Sequence, residues 1–233
     1  MRAVMIIHNE LTPVADWWFE YSNDGCIDFE SHSQIYDFLL KCQATYEILA
    51  EAELFYINYV LFTSWMRFNP SIDDEPEKIC KKDIIQGFAS YLEPSRLADI
   101  CFKDIEDTDS FVYPLKIKFS GWGIIIDKSE NKVKTPSLMR METITMGFPT
   151  IDILTYSDVW LAHDLYGKPQ PELHQLNAPR LQKALTEVKE ALGIDPIIDD
   201  NELADQHEDF TISNIRDEGG DILIYDPRMQ RVV

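Results

Sequence analysis

An uninterrupted helical pattern near the start of the chain constrains the fold most. From Ser33 to about Trp65 there is neither Gly nor Pro. Apolar residues recur there at helical spacing, at Ile35, Cys42, Leu49 and Tyr56 and, flanking them, at Phe38, Leu39, Tyr46, Ala52, Tyr59 and Phe62. One helix of that length would be about 50 Å long, and a compact domain of this size is about 45 Å across. The pattern therefore predicts either one helix that spans the body or a break near residue 50.

Two further helices are expected after this stripe. The sequence of residues 69–76, NPSIDDEP, is typical of a turn followed by a helix start. We expect short helices over about 78–90 and 94–103, separated by Glu93-Pro94.

The middle of the chain changes to an alternation with a period of two, which is typical of half-buried strands. It predicts four strands in an antiparallel meander, over residues 111–119, 121–127, 138–146 and 151–160. Pro114 has no N–H to donate, so it predicts an edge position for the first of these strands.

The clearest helix comes last. Asn177 is a good N-cap, Pro179 fits the first turn, and Gly193 is a stop signal. The buried stripe between them is Leu181, Leu185, Val188 and Leu192. Two short strands are expected afterwards, over 211–215 and 222–225.

This order of elements predicts an α+β fold: N-terminal helices, one of them long, packed on a mainly antiparallel sheet, with one late amphipathic helix. The chain has 233 residues, and no linker or repeat divides it. We expect one domain over 1–233, with a helical part at about 30–105 and a sheet and helix part at about 108–226.

The N-terminus and the longest apolar run favour a cytoplasmic protein. The apolar run after Met1-Arg2 is too short for a signal peptide. The longest one, between Glu53 and Arg67, has 13 residues, whereas a membrane helix needs about 20. No C-x-x-C motif occurs, so we expect no disulfide, metal or cofactor, and four thiols that act as small hydrophobes: Cys26, Cys42, Cys80 and Cys101.

Charge limits the partners. The chain has 41 acidic residues against 21 Lys and Arg, a net charge of −20. That balance argues against direct binding to nucleic acid and against docking on anionic membranes. The excess is confined to the two ends, because residues 1–77 and 190–226 each carry −11 whereas residues 78–189 are balanced.

Such segments serve either solubility or recognition of a cationic protein. Aromatic residues inside the first segment favour recognition, since two adjacent Trp residues cannot easily share one face of an element. The predicted contact residues are Asp16, Trp17, Trp18, Glu20 and Asp24, with a second patch of Asp199, Asp200 and Glu202. The competing interpretation is that one of the two indoles closes the core.

Known catalytic motifs are missing from the sequence. It contains no phosphate-binding loop, dinucleotide fingerprint, H-E-x-x-H or G-x-S-x-G. One group of residues could supply metal ligands or an acid–base pair: His163, Asp164, Glu172 and His174 around a Pro-rich turn. The other interpretation of this turn is structural, as a connector that orients the following helix.

The segment YSDVWLAHDLYGKPQPELH at 156–174, continued by NAPRL at 177–181, resembles a block in uncharacterised bacterial proteins, some of them similar to immunity proteins of toxin systems. The resemblance covers about 25 residues. No established activity and no functional residue come with this block; its similarity to immunity proteins is associated with neutralisation of a bacterial toxin.

Together these observations predict a protein-binding protein without enzymatic activity, whose partner is basic, and whose most concrete form is an immunity protein that neutralises a cationic toxin. The alternatives are a metal-dependent or ligand-binding enzyme at the four residues of the Pro-rich turn, and a structural or regulatory subunit. The sequence predicts no oligomeric state.

Overall fold

The structure is a computed structural model. It describes residues 12–21, 32–66, 81–86, 94–95, 112–144, 149–198, 200–226 and 231–232. The elements in chain order are β1 (Ala15–Glu20), α1 (His32–Glu51), β2 (Tyr56–Met66), β3 (Lys81–Gln86), β4 (Val112–Ile126), β5 (Lys132–Ile144), β6 (Thr150–Thr155), α2 (Pro171–Leu192), and the two-residue strands β7 (Asp205–Gln206), β8 (Ile212–Ser213), β9 (Tyr225–Asp226) and β10 (Arg231–Val232).

Six strands form one antiparallel sheet in the order β1-β6-β5-β4-β2-β3. Successive strand residues point to opposite faces. One face is apolar and belongs to a core shared with α1 and α2; a row of paired residues crosses it, namely Trp17, Ile153, Met141, Phe119 and Val60. On the opposite face, called the polar face below, the adjacent row is Trp18, Asp152, Glu142, Lys118 and Leu61. The predicted α+β class is confirmed.

The long helical pattern breaks at Glu51, and the rest of it is a strand. Helix α1 ends there, Glu53 has a φ of 59°, and β2 starts at Tyr56. The break near residue 50 was one of the two alternatives, but a helix over 54–65 is wrong. Because the segment is apolar nearly all round, its periodicity does not separate a buried helix from a buried strand, and its β-branched and aromatic residues favour the strand.

Two glycines of β4 let the turn between α1 and β2 pack closely. A Cβ at Gly121 would lie 1.9 Å from the Tyr56 carbonyl oxygen, and one at Gly123 would lie 2.1 Å from that of Leu54. These glycines lie within a continuous strand. The two strands predicted at 111–119 and 121–127 form the single 15-residue strand β4, with a register shift between Ser120 and Trp122.

The helix predicted over 78–90 is also wrong in its described part. Residues 81–86 form β3, paired with β2. Of the helix predicted at 94–103, only Pro94 and Ser95 are described, and both are helical. The predicted helical part, 30–105, thus contains two strands.

Pro114 does not mark an edge, because β4 lies between β2 and β5. On the β2 side Pro114 falls within a register shift, between the pairs Thr63–Lys116 and Trp65–Tyr113. On the β5 side the last pair within the described residues is Lys116–Ile144.

Helix α2 begins earlier than predicted. Pro171 is its first residue, and Pro179 lies inside the helix. Asn177 is therefore not the cap: its amide accepts from the Ile126 N–H and donates to the Ile126 carbonyl, both at 2.8 Å. Arg180 adds 2.9 Å bonds to the carbonyls of Ile124 and Ala52. Gly193 ends the helix in the left-handed conformation, as predicted.

The connector between β6 and α2, residues 156–170, is held by its own polar groups. Its predicted strand character ends at Thr155, and a 3-10 turn follows at Asp158–Trp160. The Gln170 amide donates to the carbonyls of Asp158 (2.6 Å) and Leu161 (3.0 Å). The Asp158 carboxylate accepts from the Leu165 N–H. The connector is thus a fixed link that delivers α2 to the sheet.

The C-terminal strands are shorter than predicted. The strand predicted at 211–215 is reduced to the two residues of β8. The one predicted at 222–225 is reduced to β9 and a single bridge between Arg216 and Ile222.

Cys42 is buried, while the other three cysteines lie outside the described residues. No helix in the described ranges has the length and apolarity to cross a membrane.

Candidate functional site: the anionic edge

Parts of the two acidic segments, residues 13–18 and 197–206, meet along β1. On one side β1 pairs with β6, and on the other Trp18 exchanges two backbone hydrogen bonds with Ile197, of 3.2 and 2.8 Å. Further along, Gln206 accepts from the Asp16 N–H at 2.5 Å and donates to the Asp16 carbonyl at 3.0 Å. Asn201 donates to the Pro13 carbonyl and to the Asp16 carboxylate, both at 3.2 Å. We call this surface the anionic edge: Asp16, Trp18, Glu20, Ile197, Asp200 and Glu202.

The two adjacent indoles have opposite environments. Trp17 is 0% exposed and lies in the core, so it cannot be the contact residue that the sequence predicted. Trp18 is 38% exposed and Ile197 43% exposed, and the hydrogen-bonded pairing places them side by side. The alternation of β1 thus turns one indole inward and leaves the other at the surface.

The two chain segments that form the anionic edge carry charged groups of one sign. Residues 12–21 and 195–209 contain no Lys or Arg. Asp200, Glu202 and Asp205 are exposed, and Asp16 and Glu20 are half-buried. Asp195 forms an ion pair with Lys189 of α2. Two predicted contact residues, Asp24 and Asp199, lie outside the described residues.

Sequence reasoning missed Asp152, which lies opposite Trp18 in the register of β6 and β1. Its Oδ1 atom is buried, and no hydrogen-bond partner for that atom lies among the described residues. Burial, reinforced by the charges of Glu142 and Asp16, raises the pKa of Asp152 to about 6. An acid between two inward-facing isoleucines in the middle of a strand, IDI, was the signal in the sequence.

Glu142 contrasts with its neighbour Asp152, because cations surround it. It is buried on the polar face and lies beside Lys116, Lys118 (3.6 Å) and Arg140 (3.4 Å). Arg140 also donates to the Tyr156 hydroxyl at 2.8 Å. Two carboxylates on adjacent strands are thus unequally compensated, and the less compensated one is next to the exposed indole.

The four residues of the Pro-rich turn do not assemble into a metal site. Within the described ranges, no three side chains of His, Cys, Asp or Glu are close enough together to hold a metal ion. Asp164 accepts from the N–H groups of Tyr166 and Lys168. The backbone of His163 is paired with the Asn214 amide. Glu172 is exposed and pairs with Lys128 at 3.0 Å, which lowers its pKa.

His174, the fourth of these residues, lines an apolar pocket of about 110 Å³ between α2 and the β7–β8 hairpin. Burial lowers the pKa of its imidazole. Trp160 and Phe210, which the sequence analysis did not select, belong to the same pocket. Only a binding site at His174, and not a four-residue metal centre, is compatible with this geometry.

Comparison with protein-family models, with curated proteins and with solved structures found no match to this chain.

Proposed function

We propose that the protein binds a basic protein through the anionic edge. The observation that carries this proposal is an exposed indole, Trp18, paired with an exposed Ile197 on a surface formed by two segments without Lys or Arg. Trp is among the most frequent anchors of protein interfaces. Carboxylates of one sign around such an anchor accelerate encounter with a cationic partner and disfavour anionic ones.

Asp152 adds a reason for a cationic group at this position. Burial raises the pKa of this carboxylate more than Thr150 and Lys116 lower it, so its charged form is only partly compensated and is costly. Directly opposite residues on antiparallel strands have Cβ atoms about 5 Å apart, so a guanidinium stacked on Trp18 would lie close to Asp152. The partner's cation would stabilise the ionised carboxylate. Binding is then expected to release a proton near pH 6 and to strengthen as the pH rises from 5 to 7.

An immunity protein that neutralises a cationic toxin is the most concrete form of this function. An acidic inhibitor can occupy a toxin site built for phosphate, and it needs no catalytic group of its own. This form is suggested by residues 156–181, which resemble a block in uncharacterised bacterial proteins, some of them similar to immunity proteins.

The general proposal is tested with an arginine-rich dodecapeptide, titrated by calorimetry at 50 mM and 300 mM salt. Trp18→Ala and the pair Asp200→Asn/Glu202→Gln should each weaken binding at least tenfold. The matched controls remove the same groups elsewhere: Tyr166→Ala removes another exposed aromatic side chain, and Glu190→Gln/Glu218→Gln removes the same charge from other exposed positions. The controls should change the affinity by less than about threefold. If the edge variants and the controls lose affinity equally, the acidic surface serves solubility and does not form a specific binding site.

The immunity form has its own test in cells. Co-expression with the product of the adjacent reading frame should restore growth if that product is a toxin, and Trp18→Ala should abolish the rescue. A neighbouring toxin that kills equally with and without this protein would refute the immunity form while leaving recognition of another basic partner intact.

A further inference from the structure

We propose that the pocket beside His174 binds a small, neutral, single-ring aromatic molecule that carries one hydrogen-bonding group. We call it the α2 pocket. Its lining includes Trp160, His174, Ala178, Pro179, Phe210 and Ile212. The inference does not depend on the proposed protein partner.

The α2 pocket is built from a helix stripe that faces a hairpin. His174 and Ala178 lie four residues apart, so they occupy the same side of α2. Phe210 and Ile212 come from the opposite wall, at the start of β8, and Trp160 comes from the connector. Most of the surface presented to the pocket is therefore carbon, as in typical small-molecule sites.

Volume sets the size of the ligand. The α2 pocket encloses about 110 Å³. An engineered apolar cavity of roughly 150 Å³ in another protein remains dry and binds benzene. A pocket somewhat smaller than that, and open on one side, holds one ring and leaves a substituent near its mouth. Larger ligands would require the wall to move.

The aromatic wall is held in a costly backbone conformation. Phe210 has a φ of 66°, in the left-handed region that a bulky residue rarely adopts. Hydrogen bonds fix it there: its N–H donates to the His207 carbonyl at 2.9 Å, and the Gln182 amide donates to the Asp209 carbonyl at 3.0 Å. The ring is thus fixed in position before a ligand arrives, which reduces the entropy lost on binding.

Three polar residues line the pocket: His174, Gln182 and Thr211. The side chains of Gln182 and Thr211 already donate hydrogen bonds to Asp209, which leaves His174 as the polar group offered to a ligand. The backbone N–H of His174 bonds to Gln170, but its imidazole makes no hydrogen bond in the part of the chain that the structure describes. Burial lowers its pKa, so the ring is neutral at pH 7 and offers one donor and one acceptor. A neutral imidazole in an apolar pocket favours a neutral ligand. Because the imidazole can both donate and accept a hydrogen bond, the ligand can carry either a hydroxyl or an amine.

Phenol and toluene are suitable probes, followed by NMR on the full chain. Both should shift the Ala178 methyl and the Phe210 ring signals saturably, with a Kd on the order of 1 mM. Ala178→Leu fills the pocket and should weaken both at least tenfold, whereas Ala191→Leu, exposed near the end of the same helix, should change neither. His174→Phe should weaken phenol several-fold and leave toluene within about twofold.

Direct contacts in the unaltered protein keep the test decisive if Ala178→Leu does not fold. Magnetisation transfer from toluene to the Ala178 methyl supports the site. Shifts that do not saturate, or equal effects of the two alanine substitutions, overturn it. A His174→Phe variant that weakens phenol and toluene equally overturns the part of the proposal that concerns the hydrogen bond.

Discussion

The connector region and the anionic edge treat their polar groups in opposite ways. In the connector and the start of α2, the side chains of Asp158, Gln170 and Asn177 are all buried and hydrogen-bonded to backbone, and one ring nitrogen of His163 is the exception. Beside the anionic edge, Asp152 has a buried oxygen with no partner among the described residues, and Trp18 exposes an indole. Satisfied polar groups stabilise a fold, whereas a buried carboxylate that is only partly compensated costs stability, and this cost makes Asp152 a candidate for function.

The largest effect should separate the two adjacent indoles. Trp17→Ala is expected to lower the free energy of unfolding by about 3–5 kcal/mol, because it leaves a cavity in the core. Trp18→Ala should lower it by about 1 kcal/mol or less, since much of that side chain already contacts water. Urea denaturation followed by circular dichroism measures both. Similar losses would make Trp18 a structural residue and remove the anchor of the proposed interface.

The next effect concerns the clamp between α2 and β4. Asn177→Ala should destabilise the protein by about 2–4 kcal/mol, because it leaves the Ile126 N–H and carbonyl without their partner. Gln175→Ala, at an exposed position of the same helix, should change the stability by less than about 0.5 kcal/mol. If Asn177→Ala unfolds at the same urea concentration as the unaltered protein, the connector and its helix are not the rigid part of the molecule.

Asp152→Asn should raise the free energy of unfolding at neutral pH, whereas the substitutions above lower it. The folded pKa of Asp152, about 6, lies above the unfolded value of 3.8, so the folded state binds the proton more tightly. The stability of the unaltered protein should therefore fall as the pH rises from about 4 to about 6, by roughly 3 kcal/mol from this group. Asparagine carries no charge to bury, so the variant should be more stable than the unaltered protein at pH 7.5.

Thermal melts of both proteins from pH 3.5 to pH 8 measure this difference. Asp209→Asn is the control, and it should destabilise the protein at neutral pH, because hydrogen bonds from Thr211 lower the pKa of Asp209 in the folded state. That carboxylate stabilises the fold above its unfolded pKa, and the stabilisation is lost as the pH falls. An Asp152→Asn variant that is less stable at pH 7.5 would mean that Asp152 is a structural residue like those of the connector.

The structural features that the sequence predicted correctly are those that depend on local patterns of residues. The adjacency of Trp17 and Trp18 predicted that they would not easily share one face, and Gly193 predicted the end of α2 because glycine readily adopts the left-handed conformation of a helix cap. Period-two alternation likewise predicted the antiparallel strands. Each of these depends on neighbours within one or two turns of chain, so the sequence states it directly.

Non-local contacts decided the remainder. Residues 56–66 form a strand because β3 and β4 pair with them, and Asn177 has its partner at Ile126, 51 residues away. The contact of β1 with residues 197–206, and the burial of Asp152 between its neighbouring strands, likewise exist only after the sheet is assembled. The sequence thus determined which residues alternate, cap and carry charge. The tertiary structure alone decided which of them meet, because pairing and desolvation depend on groups far apart along the chain.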